Sequence, residues 1–221
     1  MPVDIVVMKA VSEENERHAA AVRAQLDAHG VLAINMMSSP GSGKTTLLEA
    51  AIGALRGELR IAVVEGDVFT ALDAERIQRL GVPVVQLNTE GSCHLTAHMI
   101  EAVLPRLDLE SVDLLAIENI GNLICPAAYV LGEHCRVGCL SVAEGSDKAD
   151  KYPRLFSLSH LNVITKVDLV PHVDFDVKAV EEKLRQLNPE VPVLVTSVRT
   201  GEGIDAWCDW LRSQVASLRS A

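Results

Sequence analysis

The sequence predicts an α/β domain in which helices cover both faces of a mostly parallel central sheet. Short apolar runs with strand character alternate along the chain with helical patterns, which is typical of βαβ units. Hydrophobic residues make up 48% of the 221 residues and aromatic residues only 3%, so the core must be aliphatic. Such strands are typical of sheets that are buried on both faces. No linker or internal repeat divides the chain.

Seven apolar runs are predicted as strands and six segments as helices. The predicted strands are Val31–Met37, Ile61–Glu65, Val82–Leu87, Leu114–Ile117, Val137–Ala143, Val163–Thr165 and Val193–Thr196. The predicted helices of the main domain are Thr45–Leu55, Thr70–Leu80, Leu95–Leu107, Phe175–Leu187 and Ile204–Leu218. A further helix at Ser12–His29 belongs to an N-terminal helical extension, residues 1–30, ahead of the domain at 31–221. In parallel sheets ligands bind beyond the carboxyl ends of the strands, so the loops there should hold the chemistry.

The chain carries 20 Lys and Arg residues against 30 Asp and Glu residues, which gives a formal net charge of −10. This acidic excess argues against binding to nucleic acid or to an anionic membrane, because both need a basic surface. The longest apolar stretches are too short to span a bilayer, and the N-terminus does not have the pattern of a signal peptide. We therefore predict a cytoplasmic protein whose five cysteines are core residues, metal ligands or reactive thiols rather than disulfides.

A glycine-containing loop directly follows the first predicted strand and precedes a helical pattern. Its sequence is SSPGSGKTT, residues 38–46, and this context is that of a P-loop NTPase. The glycines let backbone N–H groups surround phosphate oxygens, Lys44 would reach the β- and γ-phosphates, and the Thr45 hydroxyl would bind Mg²⁺. Ser38 departs from the strict pattern, which has glycine there. The expected nucleotide-binding residues of this loop are Gly41, Ser42, Gly43, Lys44, Thr45 and Thr46.

Two acidic residues at the ends of other strands are candidates for the carboxylate that a P-loop site needs near its magnesium ion. Glu118 begins a Glu-x-x-Gly sequence, a variant of the usual Asp-x-x-Gly with a longer side chain. Asp67 follows the apolar run Ile61–Glu65, and the alternative for it is a solvated helix N-cap. We predict Lys44, Glu118 and Asp67 as catalytic residues, and Thr45 with Asp67 as the magnesium ligands.

A Thr-Lys-Val-Asp sequence at residues 165–168 follows another predicted strand and resembles the guanine-binding Asn-Lys-x-Asp motif of GTPases. Asp168 can accept hydrogen bonds from guanine N1–H and from its 2-amino group together, a pair that adenine does not offer. Lys166 can lie along the base. Thr165 replaces the usual asparagine, so the sequence does not predict one of the hydrogen bonds that support base binding in GTPases. Ser197 and Val198 lie where GTPases approach the guanine carbonyl. The alternative is that this Lys-x-Asp is ordinary surface composition.

Cys93 and His94 are adjacent, and Cys125 lies shortly after the Glu-x-x-Gly sequence. Thiolate and imidazole are the ligands that zinc and nickel take. Three ligands do not close a tetrahedral site, so water or a second chain would complete it. Spacing alone favours another interpretation, in which both cysteines are small buried residues, because a single Cys-His pair is a weak metal signal. The cysteines that core packing explains better are Cys135, Cys139 and Cys208.

Taken together in this order, the motifs resemble those of the hydrogenase nickel-incorporation GTPase family, from about Ala19 to Leu211. The most specific segments are Ser38–Glu49, Glu65–Asp67, Glu118–Ala127 and Thr165–Asp176. The resemblance implies a GTPase of the signal-recognition and ParA-like class that dimerises with GTP and helps deliver Ni²⁺ to the large subunit of NiFe-hydrogenase. It also implies a metal site at the dimer interface, which reverses the interpretation from spacing and maps onto Cys93, His94 and Cys125.

The same resemblance implies the cofactors and partners. The cofactors are GTP, Mg²⁺ and Ni²⁺ or Zn²⁺. The partners are a second copy in a homodimer, a zinc-containing nickel chaperone among the hydrogenase maturation accessory proteins, and the large-subunit precursor, without nucleic acid or membrane. Some family members carry an N-terminal cysteine motif or a His-rich stretch, whereas residues 1–31 here have no cysteine and only His18 and His29. We therefore expect the metal site of the GTPase domain alone, with modest nickel affinity.

Three other functions remain open from the sequence. A related metallochaperone GTPase for urease nickel or a cobalamin enzyme would share the P-loop, although the Cys-His arrangement argues against the urease type. A P-loop small-molecule kinase would accept ATP, need a second substrate and bind no metal. In a non-enzymatic metal-binding scaffold the P-loop would only stabilise the fold, and replacement of Lys44 would leave its function intact.

Overall fold

Seven parallel strands form one central sheet in the computed structural model. The structure describes residues 6–68, 71–89 and 91–220, with side chains from residue 13 onward. The strands are β1 (Leu32–Met37), β2 (Ile61–Asp67), β3 (Val84–Asn88), β4 (Leu114–Glu118), β5 (Cys135–Ser141), β6 (Leu161–Thr165) and β7 (Val193–Val195). They lie in the order β3-β2-β4-β1-β5-β6-β7, and every neighbouring pair is parallel. The predicted α/β class is confirmed.

In the part of the chain that the structure describes, eight α-helices connect and cover the strands. They are α1 (Val6–Ala28), α2 (Lys44–Ala54), α3 (Leu72–Gln78), α4 (Ala97–Val103), α5 (Lys148–Lys151), α6 (Pro153–Ser157), α7 (Val177–Leu187) and α8 (Ile204–Ser220). Within the described ranges, no helix combines the length and the apolar character that a membrane crossing requires.

Three of the helix predictions need correction. The first helix begins at Val6, ahead of the predicted Ser12. α4 is shorter than the predicted Leu95–Leu107, because Thr96 caps its start and the chain tightens into a 3₁₀ turn that contains Pro105. The predicted Thr70–Leu80 corresponds to α3, but Thr70 itself lies outside the described residues. The short helices α5 and α6 were not predicted, since neither is long enough to show a helical period.

Helices cover both faces of the sheet because successive strand side chains point to opposite sides. In β1, Ile34 and Met36 pack with α2 and α8, whereas Ala33 packs with α1 and α4. Trp207 of α8 is fully buried on the first side, and Leu26 of α1 is fully buried on the second. The three cysteines that were predicted to be core residues are all buried on the α2 and α8 side: Cys135, Cys139 and Cys208.

The strand order decides which loops meet at the carboxyl edge of the sheet. β1 lies between β4 and β5, so the loop after β1 is flanked by the loop after β4. β2 pairs with β4 in a register that places Glu65 beside Glu118. β6 follows β5 on the other side of β1 and brings Thr165 to the same edge. Motifs that are far apart in the sequence therefore meet around the start of α2.

Candidate functional site

The loop between β1 and α2 has the conformation that its glycines allow. Gly41 has a φ of 73° and Gly43 a φ of 96°, both in the left-handed region that side chains with a Cβ rarely adopt. Among the described residues, Lys166 is the only one other than glycine with a positive φ. Ser38 therefore does not need the conformational freedom of the glycine that the strict P-loop pattern has at its position.

Ser38 instead supplies a hydroxyl that holds the P-loop lysine. It is fully buried, and Lys44 Nζ donates a hydrogen bond to its Oγ at 2.9 Å. Ser38 Oγ in turn donates to the Ser39 carbonyl at 2.7 Å and contacts the Ser42 hydroxyl. The departure from the motif thus gives the Lys44 ammonium group a hydrogen-bond acceptor at the wall of the cavity.

Thr45 and two glutamates form the floor of the site. Thr45 Oγ1 donates to Glu118 Oε1 at 2.8 Å, and Lys44 Nζ lies 3.9 Å from the same oxygen. The second carboxyl oxygens of Glu118 and of Glu65 are buried and make no hydrogen bond within the described part of the chain. Burial and the adjacent Glu118 raise the pKa of Glu65 to about 10, so Glu65 is protonated at neutral pH. Burial also raises the pKa of Glu118.

A cavity of about 310 Å³ lies over this floor. Its wall brings together Gly41, Gly43, Lys44, Thr45, Thr46, Asp67 and Glu118 from the predicted site. Sequence reasoning missed four polar or charged lining residues: Glu65, Asp73, Arg76 and Asn119. Glu65 had a signal, since it ends an apolar strand at the edge where ligands bind. No pattern in the sequence indicated Asp73 and Arg76 of α3, because neither residue belongs to a motif.

Arg76 lies on α3 and is held by acidic partners at the mouth of this cavity. Its guanidinium donates to both carboxylate oxygens of Glu49, at 3.1 and 2.6 Å, and to Asp73 at 2.8 Å. It also donates to Thr46 Oγ1 at 3.1 Å. These bonds tie α3 to the first turns of α2 and fix the position of a cation beside the phosphate loop.

A second cavity of about 260 Å³ lies next to the first, because Gly43, Thr46 and Lys166 line both. Asp168 and Val198 line it, and Ser197 Oγ donates to Asp168 Oδ1 at 2.6 Å. Of the predicted base-binding residues, the structure therefore places Lys166, Asp168 and Val198 in one pocket next to the phosphate loop. Ser197 is buried behind Asp168 and holds its carboxylate rather than lining the pocket.

The predicted metal ligands also come together. Cys93 Sγ lies 3.1 Å from Cys125 Sγ and 3.7 Å from His94 Nδ1, and all three ligand atoms lie within 4.8 Å of one another. The His94 ring stacks on Tyr129 with centroids 4.2 Å apart. Burial lowers the pKa of His94, which favours the neutral imidazole, the form that binds a metal. Cys93 is exposed and Cys125 partly exposed, so an incoming ion can reach both thiols.

Comparison with known proteins identifies the family. Residues 32–195 match the family described as CobW/HypB/UreG, nucleotide-binding domain. The hydrogenase maturation factor HypB of Azotobacter vinelandii is 48% identical over 201 residues, which cover 91% of this chain and 66% of that protein. The chain belongs to the HypB family.

Solved HypB structures have the same fold. HypB from Archaeoglobus fulgidus superposes with a TM-score of 0.87 at 39% identity, over 92% of this chain and 99% of that chain. HypB from Helicobacter pylori, solved in complex with nickel, superposes with a TM-score of 0.88 at 38% identity, over 92% of this chain and 96% of that one. The predicted P-loop NTPase class and the predicted family are thereby confirmed.

Proposed function

We propose that this chain is a GTP-hydrolysing metallochaperone that helps insert nickel into the large subunit of NiFe-hydrogenase. The observation that carries the proposal is that one short loop has Glu118 of the phosphate cavity at its start and Cys125 of the metal-ligand cluster at its end. Membership of the HypB family and the nickel bound to the H. pylori relative support it.

The phosphate cavity fits a nucleotide with magnesium. Its floor offers the Thr45 hydroxyl, the buried Glu118 oxygen that has no partner among the described residues, and Asp67 at the rim. Oxygen donors of this kind suit Mg²⁺ rather than a softer metal. Thr45 and Asp67 would hold the ion, which neutralises developing charge on the β- and γ-phosphates.

The residues of the cavity would have different roles in GTP hydrolysis. Lys44 would leave the Ser38 hydroxyl for the β- and γ-phosphates, since a charged oxygen is the stronger acceptor. Glu118 and Asp67 would orient the attacking water. Arg76 is occupied by two carboxylates, so we expect slow intrinsic turnover without a free arginine finger.

Guanine selection rests on Asp168. Its carboxylate is held from behind by Ser197 and lines the apolar pocket beside the phosphate loop. A carboxylate accepts two hydrogen bonds from guanine, whereas adenine presents an acceptor at N1, which repels it. We therefore expect binding of GTP and rejection of ATP, the opposite of the result expected for most small-molecule kinases.

Nickel is the cargo in this proposal. Two cysteine sulfurs and one imidazole nitrogen form a set of soft and borderline ligands that leaves the fourth position of a tetrahedral site open. An open, exposed site suits an ion that must be passed on. We propose that the same site lies at the interface of a GTP-dependent homodimer, that it exchanges metal with a zinc-containing nickel chaperone, and that the acceptor is the large-subunit precursor.

Two hydrogen bonds join the loop that follows Glu118 to the segment that carries Cys93 and His94. Asn119, next to Glu118, accepts a hydrogen bond from the backbone N–H of Leu95, next to His94, at 3.2 Å. In the same loop, Asn122 Nδ2 donates to the Cys93 carbonyl at 3.2 Å. A shift of Glu118 on GTP hydrolysis would therefore displace the loop of Cys93 and His94 together with the loop of Cys125. Small local changes of this kind switch a protein between states that bind a ligand differently.

Nickel titration tests the coupling. We expect different nickel affinities for the protein loaded with GDP and with a non-hydrolysable GTP analogue. Cys93→Ala should weaken nickel binding in both states, whereas Cys208→Ala, the same change in the core under α8, should leave it unchanged. Equal affinities in the two nucleotide states would contradict the coupling.

A maturation assay tests the biological role. A strain without the gene should lose hydrogenase activity and regain part of it with added nickel. The wild-type chain should restore activity without added nickel, and Lys44→Ala should not. Restoration by Lys44→Ala would instead support a scaffold whose P-loop only stabilises the fold.

A further inference from the structure

A side chain of helix α1 joins the two segments that carry the predicted metal ligands. Asn15 is buried, and its Oδ1 accepts a hydrogen bond from the backbone N–H of Ala97 at 3.0 Å. Its Nδ2 donates to the Val130 carbonyl at 2.8 Å. Ala97 comes shortly after His94 in the sequence, and Val130 comes shortly after Cys125. The amide of Asn15 therefore connects the segment after His94 to the segment after Cys125.

Both backbone groups that Asn15 binds lie outside the regular hydrogen bonds of helices and strands. Ala97 is the first residue of α4, where the N–H group has no partner within the helix. Val130 lies between a 3₁₀ turn and β5, in neither a helix nor a strand. An amide suits both groups, because it has an acceptor oxygen and a donor nitrogen. An apolar side chain in its place would remove the partner of both groups at once.

Helix α1 is held against α4 by a second set of contacts close to Asn15. His18 Nδ1 lies 2.5 Å from Glu101 Oε2 on α4. The His18 ring also lies edge-on to the ring of His98, with the centroids 4.9 Å apart. His18 lies about one helical turn after Asn15, so both residues are on the same face of α1. The start of α4 and the Val130 carbonyl are thus held by one rigid helix.

The same two segments meet again at the ligands. His94 stacks on Tyr129, and Cys93 Sγ lies 3.1 Å from Cys125 Sγ. We propose that Asn15 is a positioning residue for the metal site, which sets the separation of the two segments and thereby the distances among the three ligands. Ligands that are held in place before the ion arrives bind it more tightly, because less ordering is needed on binding. This inference rests on the proposed metal site and adds a residue whose amide is occupied by two backbone groups.

Metal titrations test the proposal. Asn15→Leu has a similar shape without hydrogen-bonding groups, and we expect it to weaken Ni²⁺ and Zn²⁺ binding by about tenfold, which corresponds to one buried hydrogen bond. The near-ultraviolet charge-transfer absorption from thiolate to nickel should lose intensity at saturating nickel, since it requires both sulfurs at bonding distance from the ion. Asn15→Asp keeps the acceptor for Ala97 but turns a second oxygen towards the Val130 carbonyl, so it should weaken both metals as well.

Asn188→Leu is the matched control, because Asn188 also donates to a backbone carbonyl and accepts from a backbone N–H. Its Nδ2 donates to the Ser157 carbonyl at 2.9 Å, and its Oδ1 accepts from the Glu190 N–H at 3.2 Å, both at the end of α7. We expect the metal affinities and the nickel spectrum of this variant to equal those of the wild type. Thermal melting should show that each variant is folded.

A measurement without metal separates this inference from the proposed nickel role. Oxidised glutathione converts the Cys93 and Cys125 thiols to a disulfide and leaves two molecules of reduced glutathione. The equilibrium constant reports how closely the two thiols are held, and the remaining cysteines are buried. Asn15→Leu should lower this constant by about tenfold, and Asn188→Leu should not change it.

Three results would overturn the inference. Asn15→Leu could match the wild type in metal affinity or in the disulfide equilibrium, which would mean that Asn15 does not set the ligand distances. Asn15→Asp could bind metal like the wild type, which would mean that the bond to Ala97 suffices without the bridge, and this variant decides if Asn15→Leu does not fold. Asn188→Leu could weaken metal binding equally, which would make lost stability the cause. A wild-type protein that binds no nickel would instead contradict the proposed function, and the disulfide equilibrium would still test Asn15.

Discussion

Gly121 lies so close to Pro40 that a Cβ atom built on it would be 2.7 Å from the proline N and Cα atoms. Pro40 belongs to the phosphate loop, and Gly121 belongs to the loop that runs from Glu118 to Cys125. The two loops therefore touch backbone to backbone as well as through the hydrogen bonds of Asn119. A displacement of either loop must displace the other, because packed backbone atoms cannot interpenetrate.

Gly121→Ala is expected to weaken GTP binding by tenfold or more. The new methyl group would push Pro40 and change the curvature of the phosphate loop, and overpacking of this kind costs about 1–3 kcal/mol. Fluorescence titration with a labelled GTP analogue measures the effect. Gly53→Ala on α2 is the control, because a Cβ there meets nothing within 4 Å and favours the helix. Equal binding by both variants would show that the contact with Pro40 does not matter.

Lys44→Ala is expected to abolish detectable GTP binding. Lys44 Nζ lies 3.9 Å from Glu118 Oε1, and without this charge the phosphates would face the buried carboxyl groups at the floor of the cavity. Isothermal calorimetry with GTP and Mg²⁺ gives the direct measurement. Lys183→Ala, which removes a surface partner of Asp150, should bind GTP normally. Retention of wild-type affinity by Lys44→Ala would place the phosphates elsewhere.

Asn119→Ala is expected to reduce the difference in nickel affinity between the GDP and GTP-analogue states. The change removes the acceptor of the Leu95 N–H and the donor to Asn35 Oδ1 at 3.1 Å, and it leaves buried polar groups unpaired. Nickel titration in both nucleotide states tests this. Asn188→Ala, which loses a side-chain bond to the Ser157 carbonyl far from the site, controls for lost stability. If the difference in nickel affinity between the two nucleotide states is unchanged, Asn119 does not take part in the coupling.

Asp113 is expected to make stability depend on acid pH. Hydrogen bonds from Arg60, together with the charges of Arg60 and Arg219, hold the pKa of Asp113 below its ordinary value. Because the folded pKa is the lower one, the stabilisation is complete above the unfolded pKa of about 3.9 and is lost as the pH falls through the folded pKa.

Asp113→Asn should therefore lower the urea midpoint at pH 7 and reduce the loss of stability on acidification. Urea unfolding across a pH series measures both effects. Asp209→Asn, an exposed partner of Arg212, should change stability by less than about 0.5 kcal/mol. A variant of Asp113 with the wild-type pH dependence would contradict the role of this ion pair.

Much of the site could be predicted because its signals are local. The P-loop is a continuous segment with its own strand and helix, and Glu118, Asp67 and Asp168 each follow an apolar strand. Ser38, however, was a departure without an explanation until the structure showed its hydroxyl beneath Lys44. Arg76 could not be found, since its place beside the cavity depends on how α3 packs on α2 and not on any pattern within α3.

The sequence by itself determined the class of sheet, the phosphate loop and the residue types available for base and metal binding, since these depend on periodicity and on short-range spacing. Only the tertiary structure decided that Cys93, His94 and Cys125 meet. Spacing alone argued against a metal site, because a single Cys-His pair without a second close pair is a weak metal signal. The strand order brings both loops that carry these ligands to the carboxyl edge of the sheet with β2 between their strands, and hydrogen bonds from Leu95 to Asn119 and from Asn122 to Cys93 join them across it. Pairing between strands distant in sequence is a property of the folded sheet rather than of any segment.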